Sequence, residues 1–179
     1  MFFYKGIYFF IGRVYNVAME RGRTMSGKRC MFTGHRRIER QHGVQLSKRL
    51  DELIDRLVSE GYTDFCVGGA IGFDTVVALK VLEKKCQYEF IRLCLYLPCH
   101  NQDRGWSDTL KRAYYYVLKN ADSVQYASEE YVTGCMQKRN RQMVDDSEIC
   151  VAYCGSSSGG TAYTVAYAKK KGIDVINLY

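Results

Sequence analysis

Several clusters of small and polar residues in this chain have the composition of anion sites. The segment Gly155-Ser156-Ser157-Ser158-Gly159-Gly160-Thr161 runs straight into a helical pattern. Glycine lets the backbone approach a ligand closely, and the free N–H groups at a helix start attract negative charge. The Ser and Thr hydroxyls add donors for phosphate oxygens. A plain turn with Thr161 as its helix cap is the alternative for the loop taken alone. A second cluster, Gly68-Gly69-Ala70-Ile71-Gly72-Phe73-Asp74, lacks the GxGxxG spacing of a dinucleotide loop, so its glycines are a weaker signal. Asp74 falls in the first turn of a helix. It either answers the helix dipole or meets a ligand hydroxyl.

Other polar residues accompany them. Thr33-Gly34-His35-Arg36 and Pro98-Cys99-His100-Asn101-Gln102 each follow an apolar run, and Arg139-Asn140 lie on a helix. An arginine on a helix is by default solvated; a ligand-facing role for Arg139 needs support from elsewhere. Trp106 could stack on a base or anchor the start of a helix.

Those runs and helical patterns alternate along the chain. Apolar segments at Arg29–Phe32, Phe65–Val67, Phe90–Leu97, Ser123–Tyr126, Ile149–Tyr153 and Val175–Leu178 read as strands. Helical spacing covers Gln45–Glu60, Phe73–Lys85, Ser107–Asn120, Tyr131–Val144 and Thr161–Lys170. Strands separated by such helices predict an α/β fold: a Rossmann-like, doubly wound, mostly parallel sheet flanked by helices on both faces. In that architecture every cluster named above lies on the carboxyl edge of the sheet, where ligands bind. The opposite loops (Gly61-Tyr62-Thr63, Gln87-Tyr88, Lys171-Gly172) are plain turns.

The chain has 179 residues, enough for one domain with a substantial core. Its formal charge is +7, of which the first 24 residues supply +3, leaving +4 for the remainder. That mild excess suits an anionic small molecule and argues weakly for a nucleic-acid footprint. Of the eight cysteines, Cys30, Cys66, Cys94 and Cys150 sit inside apolar strands. No CxxC or Cys/His ligand spacing points to a metal, and reduced thiols point to the cytoplasm. Residues 1–24 are aromatic but broken by Lys5 and Arg13, too short an apolar stretch to span a membrane. They read as a dispensable extension ahead of a natural start at Met25, or as an amphipathic anchor on a membrane surface. Residues 25–179 then form the single domain.

Taken in order, Cys30-Met-Phe-Thr-Gly-His-Arg36, Gly68-Gly-Ala-Ile-Gly-Phe-Asp74, Leu97-Pro-Cys99 with Gln102 and Trp106, Arg139-Asn-Arg-Gln-Met143 and Gly159-Gly-Thr161 resemble the YpsA-like family of the SLOG superfamily. That superfamily also holds the DprA DNA-processing proteins and the LOG cytokinin-activating hydrolases. The resemblance implies a site for a nucleotide or nucleotide-derived signal, and a nucleotide-type ligand is expected there. It places Thr33, Gly34, His35, Arg36, Gly68, Gly69, Ala70, Gly72, Asp74, Pro98, Gln102, Arg139, Asn140, Gly159, Gly160 and Thr161 around the ligand. One departure matters. Where the LOG hydrolases carry a catalytic Glu three residues beyond the Thr, this chain has Thr164. A hydroxyl cannot do a carboxylate's work in acid–base chemistry, so a binding or sensing module is expected over an enzyme. The rivals are a nucleotide N-glycosidase using Asp74 and a DprA-like single-stranded DNA binder using Arg36, Arg37, Arg40 and Lys169–Lys171. A homodimer is compatible with all three.

Overall fold

A computed structural model describes residues 27–179; the extension and Met25 lie outside the described residues. Within them, strands β1 (Lys28–Gly34), β2 (Tyr62–Val67), β3 (Arg92–Leu97), β4 (Ser123–Tyr126), β5 (Ile149–Tyr153) and β6 (Asp174–Asn177) alternate with helices. The helices are α1 (Gly43–Ser59), α2 (Phe73–Lys84), α3 (Asp108–Asn120), α4 (Cys135–Asp145) and α5 (Gly159–Lys170), with a 3-10 turn at Arg40–His42. All five strand pairings are parallel, in the order β4-β3-β2-β1-β5-β6. The expected fold class is therefore the observed one.

Strand side chains alternate between two cores. On one face Phe32, Phe65, Val67, Leu95 and Val151 pack with α1, α2 and α3. On the other, Met31, Cys66, Cys94 and Cys150 meet Met143 and Val144 of α4 and Ala168 of α5. Pairing register sets Cys94, Cys66, Met31 and Cys150 in one row across β3, β2, β1 and β5. These buried thiols act as small apolar groups, as their strand positions imply.

The chain moves outward from β1 to β4, then returns to lay β5 beside β1. Right-handed crossovers in opposite directions send the helices after β1 and β5 to opposite faces, which opens the ligand crevice of such sheets between those two strands.

Several helix ends differ from the sequence reading, and two of these differences bear on the site. The helix expected from Tyr131 begins at Cys135, because Gly134 takes φ 87° and starts it there. Tyr131 and Val132 extended the apolar pattern but are exposed loop residues. The last helix begins at Gly159 with Ser158 as its N-cap residue, so Thr161 lies inside the first turn and does not cap it.

Gly72 fixes the entry to α2. Its φ is +86°, and a Cβ there would lie 2.4 Å from the Arg36 carbonyl oxygen, a backbone atom that cannot step aside. Gly43, at the start of α1, has φ −54° and nothing within 4 Å of a Cβ. Gly72→Ala is thus expected to destabilise the protein by about 1–3 kcal/mol or more, while Gly43→Ala shifts it by less than about 1 kcal/mol. Urea denaturation of the two variants checks this; equal midpoints would show that the loop relaxes around the methyl group.

Candidate functional site

The carboxyl edge is assembled by contacts among the loops themselves. After β1, the His35 carbonyl accepts the Phe73 N–H (3.1 Å), tying the β1 loop to the start of α2. His35 Nε2 accepts the Gly155 N–H at 2.9 Å, tying the same loop to the β5 loop. This bond requires the neutral ring to carry its proton on Nδ1. In the β2 loop, Gln102 Nε2 donates to the Gly69 carbonyl (3.2 Å) and Thr75 Oγ1 to the Ala70 carbonyl (2.9 Å). Thr33 and Gly34 end β1, with Gly34 against the Phe73 ring and Gly72 against the Arg36 backbone, while Gly68, Gly69 and Ala70 form the next loop beside Gln102 and Pro98 is buried at the end of β3. Arg36 is exposed beside them.

Arg139 is not the solvated helix arginine of the default reading. It is 7% exposed, and its guanidinium reaches over the end of the sheet toward Asp74, itself 5% exposed. Nη1 donates to the Tyr96 carbonyl at 3.2 Å and lies 3.9 Å from Asp74 Oδ2, while Nε is buried with no partner. Gly68 makes this crossing feasible, since a Cβ there would fall 1.3 Å from Arg139 Nη1 and 2.7 Å from Asp74 Oδ2. Burial pushes the Asp74 carboxyl above its usual value, against the pull of Arg139 and of the Ala70 and Gly68 amides. Burial likewise lowers Arg139, against Asp74. For both partners desolvation outweighs a pairing that is not in hydrogen-bond contact.

Asn140 does not face the loops. Its Nδ2 donates to Thr164 Oγ1 (2.8 Å), and that hydroxyl donates to the Gly160 carbonyl (2.8 Å). The pair fastens α4 to the first turn of α5. Thr164 is 1% exposed, a structural hydroxyl where the resemblance pointed to a lost carboxylate. Ser158, Gly159 and Gly160 are exposed, Thr161 is half-buried, and no side chain caps the amino end of α5. Trp106 packs edge-on against Tyr114 (5.5 Å between centroids), so it anchors the start of α3. Cys99 is fully buried.

Sequence reasoning missed a ring cluster at the crevice. Tyr153 ends β5 fully buried, its hydroxyl 2.7 Å from His42 Nδ1, and stacks on Phe73. Tyr179 lies across Tyr153 and His42, with centroids 5.2 Å from each, and its hydroxyl bonds Glu39. Residues more than a hundred positions apart meet here, and no local pattern announces it. An open depression of about 580 Å³ lies elsewhere, between α1 and α2. Its Lys80 is already paired with Asp51 and Glu83, so no charge there awaits a ligand.

The sequence model of the YpsA family, described as the YspA SLOG family, matches residues 30–175. The chain belongs to this family. Among curated relatives, the SPbeta prophage-derived protein YoqJ of Bacillus subtilis (strain 168) is 31% identical over 140 residues, 71% of this chain and 82% of YoqJ. A UPF0398 protein of Bacillus thuringiensis (strain Al Hakam) is 27% identical over 138 residues, 73% of either chain. Among solved structures, DprA of Streptococcus pneumoniae superposes with a TM-score of 0.64 at 18% identity, covering 84% of this chain and 50% of that one. DprA of Helicobacter pylori gives 0.63 at 17%, covering 84% and 64%. The chain thus spans between half and two thirds of these DprA chains, and the likeness shows the shared Rossmann-like fold.

Burial sets the titration of Asp74. Its carboxyl is expected to hold its proton above the roughly 3.9 of an unfolded aspartate. Between those two values the folded state binds more protons than the unfolded one. The stability Asp74 contributes is therefore full below the unfolded value and lost as pH rises through the folded one. Carbon-detected NMR titration checks this, and Arg139→Gln should push the midpoint higher still. A midpoint at or below the ordinary value would mean that pairing wins over burial.

Proposed function

We propose that the carboxyl edge binds a nucleotide or nucleotide-derived ligand through its phosphate. The observation that carries this reading is Arg139, a buried guanidinium with one hydrogen bond and an unpartnered Nε. Leaving a buried cationic donor unmet costs on the order of 1–3 kcal/mol, which an anionic ligand at this edge would offset. The exposed, uncapped amino end of α5 at Gly159–Thr161 adds backbone donors of the right sign. In this reading the phosphate rests on those amides. Arg139 supplies charge from the floor of the edge and holds the Gly68–Asp74 loop in place. Asn140 and Thr164 set the position of α5.

Hydrolysis of an N-glycosidic bond finds less support. Asp74 is enclosed, accepting the Ala70 N–H, and Thr164 is committed to Asn140 and Gly160. Single-stranded DNA is the second reading. The Helicobacter pylori relative is described by its single-stranded DNA binding mode. Here Arg36, Arg37 and Arg40 stand exposed in the loop after β1. Salt separates the two, since many phosphate contacts give a steep dependence and one bound nucleotide a shallow one.

A panel of nucleoside mono- and diphosphates should raise the melting temperature. At a hundred times its dissociation constant a ligand adds about 2.7 kcal/mol to the native state. Gly160→Val, placed where nothing lies within 4 Å of a Cβ, should fold yet lose the shift by blocking the backbone. Arg139→Gln should weaken binding by about 1.5–3 kcal/mol. Wild-type responses from both variants would remove the phosphate from this edge.

A further inference from the structure

Resting on that reading, we infer that the ligand's nucleobase stacks on the ring of Tyr179, making this residue the element that distinguishes a nucleotide from a bare sugar phosphate. Tyr179 stands at the crevice between β1 and β5, beside the loop that leads to Gly159. Gly155 opens that loop, and a Cβ on it would fall 2.0–2.4 Å from Cζ, Cε2 and Cε1 of Tyr179, so the ring lies against the bare backbone there. A side chain at 155 would displace the ring.

The ring is held in a fixed pose. Its hydroxyl donates to Glu39 Oε1, and Glu39 in turn takes a hydrogen bond from Gln41 Nε2 at 2.8 Å. His42 stands edge-on at 88° to it, and Tyr153 lies 5.2 Å away at 50°. The backbone leading to it is fixed too. Asn177 exchanges two hydrogen bonds with Cys154 (3.1 and 2.9 Å), and Arg49 Nη1 donates to the Leu178 carbonyl at 3.0 Å. Yet Tyr179 remains 46% exposed, where Tyr153 beneath it is sealed. A ring held by its hydroxyl and by the His35, His42 and Tyr153 rings, in a residue still partly open to solvent, is pre-organised for stacking, because little side-chain entropy is left to lose on binding. Every nucleobase has a π-face, so such a platform reads the presence of a base and leaves its identity to other contacts.

The test compares dissociation constants of a nucleoside monophosphate, ribose 5-phosphate and inorganic phosphate for the full chain, by calorimetry. Wild type should bind the nucleotide about tenfold more tightly than ribose 5-phosphate. In Tyr179→Ala that ratio should fall to about one, with ribose 5-phosphate binding unchanged. Tyr179→Leu, which keeps an apolar group over Gly155, should lose the ratio as well, whereas Tyr179→Phe should retain most of it. The inference is overturned if ribose 5-phosphate matches the nucleotide on wild type, or if the ratio survives in Tyr179→Leu. Tighter nucleotide binding by Tyr179→Ala would also overturn it, making the ring an obstruction. Those outcomes leave the phosphate site standing. Binding of none of the three compounds would remove both readings together.

Discussion

The carboxyl edge depends on one uneasy electrostatic contact, that of Arg139 with Asp74. Arg139 belongs to α4 and Asp74 to α2, helices on opposite faces of the sheet, and the two groups meet over the end of β2. No hydrophobic contact can make that link, because the sheet itself separates the two cores. The Gly68–Gly72 loop passes beneath the pair with its Ala70 N–H turned to the carboxylate. Remove the bare backbone at Gly68 and the guanidinium has nowhere to go. Gly68 is therefore explained by a protein side chain, and Gly72 by the Arg36 backbone, before any ligand is considered.

The contact is strained in a specific sense. At 3.9 Å it lacks a hydrogen bond, and burial works against both charges. Buried pairs of this kind are poor sources of stability. Asp74 is thus part of the framework of the edge, while the amino end of α5, Arg36 and Tyr179 are the groups still open to solvent.

Much of this was legible in the sequence, for identifiable reasons. Ser123–Tyr126 and Ile149–Tyr153 were read at their true limits because a short apolar run between helices has few other fates. The edge carrying the polar loops followed from strand polarity alone. The start of α4 was misread because Tyr131 and Val132 continue an apolar pattern, while the deciding residue, Gly134, acts through a left-handed backbone. The burial of Arg139 was hidden because its partner lies 65 positions away on the other side of the sheet. Likewise Asn140 and Thr164 looked like ligand and vacated catalytic positions, yet a single hydroxyl bridge between helices accounts for both.

The two cores are very unequal. Among the described residues, twenty-five buried ones cement α1, α2 and α3 to the sheet, whereas eight, half of them forming the Cys94, Cys66, Met31 and Cys150 row, hold α4 and α5. Sulfur side chains are soft and adaptable, and a thin layer of them binds its helices with less free energy than a thick aliphatic one. Cooperative opening follows local burial, so among the described residues the layer of α4 and α5 is the one expected to exchange its amide hydrogens first. Arg139 and the amino end of α5 both ride on that thinner layer.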